Sequence, residues 1–349
     1  DPPAIVFFHA HPDDEASGTA GTMARAAAEG RRVVVVYGTN GDHGEAPADL
    51  APGETIADRR HAEADRSAGI LGVARVAWLG YADSGMTGWE QNGASEAFCN
   101  ADVDEAASRL AAILDAEHAE ILVCYDWHGG YGHPDHVQVH RVGHRAADLA
   151  AHRPRLLEAT QNRDAMRRLR EQAIAAAQAE GVTMAASADF DPDAPMDDGN
   201  PMGTPESEIH WQVDVSGYLD RKRDAMRAHA SQVTDIGFFL AMPPPVFAGA
   251  FGTEYYIEPG RPPGMRPGWI LDGERAPSTQ SPARPSTQPP THPSTQPPTQ
   301  PPPERPDAHV TVAGGDAAPA VGDAAPAVGD GIAVVRKDRG MDDVTGAHS

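Results

Sequence analysis

Two short apolar runs, each ending in a knot of titratable side chains, limit what this chain can fold into. The first, Ala4-Ile-Val-Phe-Phe8, runs straight into His9-Ala-His-Pro-Asp-Asp-Glu15. Imidazole and carboxylates placed where a buried strand should end are costly unless something cationic sits among them. The second run, Ile121-Leu-Val-Cys-Tyr125, is followed by His133-Pro-Asp-His136. Two such junctions make a catalytic metal centre, with each cluster supplying part of it, the leading reading.

The sequence between them indicates the scaffold. Ile5 to Phe8 and Val33 to Tyr37 are short and partly β-branched, and the Ala-rich stretch Ser17 to Glu29 between them favours helix, with Gly30 suited to its C-terminal cap. Arg60 to Leu71 reads as a helix leading into a strand at Arg75 to Leu79, and Val103 to Ala116 as a helix leading into Ile121 to Tyr125. Further on, Leu156 to Glu180 reads as helix and Asp189 to Glu206 as a long loop. Trp211 to Val215 then reads as a strand, Tyr218 to Ala230 as a helix and Glu254 to Ile257 as a late strand. This alternation predicts an α/β fold, a Rossmann-like, mostly parallel sheet with helices on both faces. Ligands of such sheets sit beyond the carboxyl ends of the strands near the topological switch point, and both His/Asp clusters fall at strand ends.

Composition sets the outer limits. The 349 residues divide near Gly273 into a domain expected over 1–272 and a low-complexity tail over 273–349. In the tail Pro277-Ser-Thr-Gln280 recurs as Pro285-Ser-Thr-Gln288 and Pro293-Ser-Thr-Gln296, a composition that cannot supply a core and predicts a disordered Pro-rich segment. The formal charge of -23 argues against non-specific binding to nucleic acid. Cys99 and Cys124 are the only cysteines, which excludes a thiolate zinc cluster and a disulfide framework and leaves two free thiols as the reading. No apolar run approaches the ~20 residues of a membrane span, and no secretory signal precedes the first strand. The expectation is a cytoplasmic protein acting on a small molecule, with homo-oligomerisation left open.

A hydrolytic metal site needs protein ligands, an open position for water and a base that is off the metal. His11 and Asp14, three apart, face one point once the chain turns into a helix. Pro12 and the acids Asp13, Asp14 and Glu15 suit a helix N-terminus, which is also an ordinary capping explanation for those acids. His133 precedes Pro134 and stands at a loop-to-helix junction, with His136 in the first turn of a helix running on to Ala150. His140 and His144 continue down that helix, recede from the strand ends at ~1.5 Å per residue, and read as packed or surface histidines. Gly129-Gly-Tyr-Gly132 forms a loop that would present Tyr131 to a substrate.

On these residues the chain resembles the LmbE-like, or PIG-L-type, metal-dependent N-deacetylases. The hallmarks are Ala10-His-Pro-Asp-Asp-Glu15 after the first strand and His133-Pro-Asp-His136 after a later one. The resemblance extends through Arg60-His-Ala-Glu63, Leu71-Gly-Val73, Asp83-Ser-Gly-Met86, His229-Ala-Ser-Gln232 and Phe251-Gly-Thr-Glu-Tyr-Tyr256, covering most of residues 4–260 and none of the tail. It implies that His11, Asp14 and His136 hold Zn2+, with Fe2+ as the alternative ion. It further implies that Asp13 is the general base and His133 the electrophilic or acid partner, in hydrolysis of an N-acetyl group on a glucosamine-containing glycoside. Asp135 is then expected to keep His133 protonated, as carboxylates do for catalytic imidazoles. Arg60 and Asp83 match substrate-contacting positions of relatives that act on an inositol glycoside, although a helix-surface ion pair with Glu63 is a second explanation for Arg60. His229 is a further substrate-side candidate. Asp126-Trp-His128 departs from the family pattern and makes Trp127 a candidate for a larger or aromatic acceptor.

Rival functions are an amidase on a larger glucosamine conjugate, resembling a mycothiol-conjugate amidase, and a deacetylase of a glycopeptide or nucleoside antibiotic intermediate. A third is a metal-free binding protein that works through its tail. A nucleotide-binding module is disfavoured, because no Gly-x-Gly-x-x-Gly follows the first strand and carboxylates occupy the place where phosphate would need backbone N–H groups.

Overall fold

A computed structural model describes residues 3–179 and 191–272. The Pro-rich tail expected over 273–349 lies outside them, as does the beginning of the loop expected at Asp189. From the N-terminus run β1 (Ala4–His9), α1 (Asp14–Gly18), α2 (Ala20–Ala28), β2 (Arg32–Thr39), α3 (Ile56–Leu71), β3 (Arg75–Tyr81), α4 (Val103–Ala116) and β4 (Ala119–Tyr125). There follow α5 (Pro134–Leu149), β5 (Arg155–Thr160) and α6 (Arg163–Ala179), then β6 (Trp211–Asp214), α7 (Leu219–Ala228), α8 (Val233–Ala241), α9 (Pro244–Phe251), β7 (Thr253–Ile257) and β8 (Arg266–Pro267).

The strands form one sheet in the order β3-β2-β1-β4-β5-β7-β6-β8. The first five are mutually parallel, and β7 joins antiparallel to both β5 and β6. The order reverses between β1 and β4, so the switch point lies between the two strands that carry the His/Asp clusters. Side-chain alternation divides the core into two layers. Ile5, Phe7, Val33, Val35, Ile121 and Val123 face a layer closed by Met23, Leu71 and Met226. Val6, Phe8, Val34, Val36, Leu122 and Cys124 face a layer closed by Leu110, Leu114, Val139 and Val142. Helices therefore cover both faces, as the α/β expectation required. Cys99 and Cys124 are free thiols, and among the described residues no helix is long and apolar enough to cross a membrane.

Two departures from the sequence reading have physical causes. Leu156 to Glu180 is not one helix: Arg155–Thr160 forms β5 in register with β4, and α6 starts only at Arg163. Leu-Leu-Glu-Ala reads as helix by propensity, but pairing with β4 on one side and β7 on the other overrides it. The helix expected from Ser17 to Glu29 is broken at Thr19, whose Oγ1 is bonded to Nε2 of His9 at 3.0 Å, so the hydroxyl serves strand β1. Asn162, 2 % exposed, opens α6 by accepting from the N–H of Ala165.

Glu254 of β7 ties the late strand to the first helical layer. Its carboxylate accepts from the N–H groups of Gly21 and Thr22 at the start of α2, and from Nζ of Lys222 on α7 at 2.6 Å. Both side chains of that ion pair are at most 3 % exposed. Glu254→Ala would leave Lys222 buried without its carboxylate and should cost about 3–5 kcal/mol. Chemical denaturation would show it, and a loss under 1 kcal/mol on the order expected for surface pairs would contradict the assignment.

Candidate metal centre

Both clusters reach the switch point for local reasons. β1 ends at His9, and the chain passes His11 and Pro12 before Asp13, whose φ of 128° is uncommon for a residue with a side chain. The turn returns the Asp14 carboxylate to the N–H of His11 at 2.8 Å. Opposite, α5 begins at Pro134 with His133 as N-cap, its Nδ1 accepting from the N–H of Asp135 at 3.1 Å. The loop 129–132 lies so close that a Cβ on Gly129, at φ 64°, would collide with His136.

Nδ1 of His11, Nε2 of His136 and the Asp14 carboxylate converge. The two nitrogens are 3.3 Å apart, and each lies 3.4 Å from an oxygen of Asp14. A tetrahedral ion with ligands at about 2.05 Å sets its donors about 3.3 Å apart, so the spacing fits such an ion. The outer nitrogens are committed elsewhere. Nδ1 of His136 donates to the carbonyl of Gly129 at 3.1 Å, and Nε2 of His11 donates to Asp135 at 3.2 Å with Asp83 at 3.4 Å. These partners leave each inner nitrogen with its lone pair turned into the site, the arrangement that supports a metal-bound histidine.

The electrostatics favour positive charge among these donors. Burial works to lower the pKa of His11, but Asp83, Asp135 and Asp14 outweigh it and hold the imidazole well above its ordinary value. Burial likewise opposes ionisation of Asp14, and His136 and His11 nonetheless hold it well below the usual carboxylate range. Both shifts favour positive charge among these donors, which suits a cation there.

Asp13 stands beside these donors without joining them. Burial pushes its pKa up to about 6, against the pull of Arg60. Nη2 of Arg60 lies 3.1 Å from its carboxylate and donates to the carbonyl of Pro12 at 2.6 Å, while Nη1 donates to the carbonyl of Gly41 at 3.0 Å. Arg60 is 3 % exposed. Glu63 is engaged by the N–H and hydroxyl of Ser231, so the helix-surface pairing with Arg60 is not what forms.

Other expected residues fall in different places. His133 is buried beside the convergence, its ring 4.8 Å from that of His11. Burial, with His11 and His136 adding to it, lowers its pKa to about 3. Asp135 does not serve His133 as expected: its carboxylate meets His11 and the N–H of Ser84, and only its backbone N–H meets His133. That contact makes Nδ1 of His133 an acceptor and leaves its proton on Nε2. Asp83 is also turned inward, 5 % exposed, with one oxygen taking the N–H of Gly85 and facing His11. Tyr131 packs edge-on to His136 at 5.0 Å. Trp127, 53 % exposed, packs tilted against His128 outside the cluster. His229 is fully buried and donates to Glu15 at 2.6 Å, which removes it from the substrate-facing set.

Sequence reasoning missed how much Glu15 supports. It accepts from the N–H of Asp13, the hydroxyl of Ser67 and His229. The loop beyond 190 was legible as a loop, but not its docking: the N–H of Asp197 donates to the carbonyl of Tyr131, and Asp198 lies 3.3 Å from His128.

Fold and site together define a class, an α/β protein with a candidate metal centre at the switch point of a Rossmann-like sheet. The family described as PIG-L, GlcNAc-PI de-N-acetylase, matches residues 6–147. A deacetylase of 1D-myo-inositol 2-acetamido-2-deoxy-alpha-D-glucopyranoside from Acidothermus cellulolyticus is 38% identical over 270 residues, 73% of this chain and 88% of its own. Its namesake from Thermobifida fusca is 37% identical over 284 residues, 74% and 95% of the two chains. Among solved structures, N,N'-diacetylchitobiose deacetylase from Pyrococcus horikoshii aligns with 20% identity and a TM-score of 0.42 over 71% of this chain and 73% of that one. The chain belongs to the PIG-L, or LmbE-like, family and is an N-deacetylase.

If Asp135 orients His11 for an ion, Asp135→Asn should weaken metal affinity about 10–100-fold. Competition against a chromophoric chelator measures this, and unchanged affinity would remove Asp135 from that role.

Proposed function

We propose that this enzyme removes the N-acetyl group from a glucosamine-containing glycoside, with inositol as the favoured aglycone and zinc as the resident ion. The observation that carries the chemistry is the 3.3–3.4 Å convergence of His11, Asp14 and His136 with Asp13 beside it. The substrate class is supported by the relatives at 37–38% identity, both named as deacetylases of the inositol glucosaminide.

A zinc ion bound by His11, Asp14 and His136 supplies Lewis acidity and acidifies a water in the site. Asp13 takes the proton of the attacking water, held in place by Arg60 and by the N–H it donates to Glu15. His133 presents Nε2–H to the oxygen that gains charge as the amide carbonyl becomes tetrahedral. Being neutral, it acts as a hydrogen-bond donor. The proton collected by Asp13 then passes to the departing amine, which leaves free glucosamine nitrogen and acetate. Tyr131 and the docked loop beyond residue 190 bound the space above His133 and His136. Trp127 stands further out as an acceptor-side surface. In this scheme Arg60 and Asp83 act on Asp13 and His11 and leave substrate contact to the rim.

Three measurements test the proposal. Asp13 must give up its proton to act, so kcat/KM should rise with pH through about 6 and level above it. Arg60→Gln removes the cation that lowers this pKa and should move the limb to higher pH, whereas a limb indifferent to Arg60 would contradict the coupling. Asp13→Asn should retain metal and lose about 10²–10⁴-fold in turnover. Acetate release from N-acetylglucosamine linked to inositol, to lipid and to an antibiotic aglycone should be fastest for inositol. Preference for another aglycone, or for a larger acyl conjugate, would overturn the substrate assignment while leaving the chemistry.

A further inference from the structure

Beyond His136, α5 carries His140 and His144, spaced by one helical turn and turned toward β4 and β5. Glu158 of β5 meets them. Its Oε1 accepts from Nε2 of His144 at 2.6 Å and lies 3.7 Å from Nδ1 of His140. One donor atom from each of the three side chains lies within 4.8 Å of the others, and the imidazole rings are 4.3 Å apart. The Glu158 side chain is 9 % exposed, His140 21 % and His144 35 %, so a nearly buried carboxylate forms the floor and the imidazoles rise to solvent.

We propose that His140, His144 and Glu158 form a second divalent-cation site, with the donor set of a zinc site, separate from the catalytic centre. Imidazoles at i and i+4 put two donors on one helix face. A carboxylate this deeply placed calls for positive charge, which the imidazoles supply only while protonated and a cation supplies without them. Nδ1 of His140, the nitrogen 3.7 Å from Glu158, also lies 3.1 Å from the carbonyl of Tyr125, so a cation bound there would replace the proton that this nitrogen otherwise gives to the carbonyl. Two imidazoles and one carboxylate leave a position open to solvent water, a borderline-soft set that suits zinc better than magnesium or calcium. The ion displaces the proton shared by His144 and Glu158 and ties α5 to β5.

The test is zinc titration of the full chain by calorimetry, with the metal content of dialysed protein measured in parallel, for the wild type, His144→Gln and Glu158→Gln. The wild type should take up about one more ion per chain than either folded variant, and zinc should raise its Tm further. Equal uptake by wild type and variants overturns the proposal. Since the readout is a difference, it does not depend on the catalytic reading. Asp14→Asn, which disables the catalytic centre, should retain the His144-dependent ion, and loss of that ion in Asp14→Asn would show that it belonged to the catalytic centre.

Discussion

Nδ1 of His11 and Nε2 of His136 are held 3.3 Å apart, each 3.4 Å from a different oxygen of the Asp14 carboxylate, and much of the surrounding structure exists to keep them there. Without a positive charge among them the arrangement is repulsive. The protein sustains it from outside. Asp135 and Asp83 grip the outer nitrogen of His11, the Gly129 carbonyl grips that of His136, and the His11 N–H grips Asp14. Each partner fixes a ring by its far side and so aims the near side inward.

A further ring of contacts positions the groups that flank the donors. Arg60 is anchored by the carbonyls of Pro12 and Gly41 and thereby stands as a fixed charge beside Asp13. Glu15 holds the backbone of Asp13, and is itself held by His229 and Ser67 from two other helical segments. Burial has therefore not simply accumulated charge at the switch point; nearly every buried charged group there has a named partner from another element. The raised pKa of Asp13 is a consequence, because its place is dry enough to resist ionisation and Arg60 only partly offsets that.

Much of this was legible in the chain before any fold was known. The strand-end position of both clusters follows from their apolar preludes, and the β1/β4 switch point follows from strand-helix alternation. Helix α4 lies where its pattern placed it. What escaped the sequence were interactions set by tertiary neighbours. Arg155–Thr160 has a helical composition, and only the open edge of β4 makes it a strand. Asp83, Asp135 and His229 look alike on paper as polar groups near a motif, yet packing turns all three inward, where they act on His11 or Glu15. No local signal distinguishes a carboxylate that meets substrate from one that steadies a ligand. The decision rests on which backbone N–H groups and rings arrive from 50 or more residues away, as Ser84 does for Asp135 and His229 for Glu15.

The central claim is that His11, Asp14 and His136 together hold one ion at the switch point. X-ray absorption at the zinc edge, on His144→Gln protein loaded with a single equivalent so that only the switch-point donors remain, tests it most directly. The account predicts a first shell of two imidazole nitrogens and a carboxylate oxygen at about 2.0–2.1 Å, with the imidazole scattering reduced in His11→Ala. A shell without imidazole, or a spectrum unchanged by His11→Ala, would contradict it.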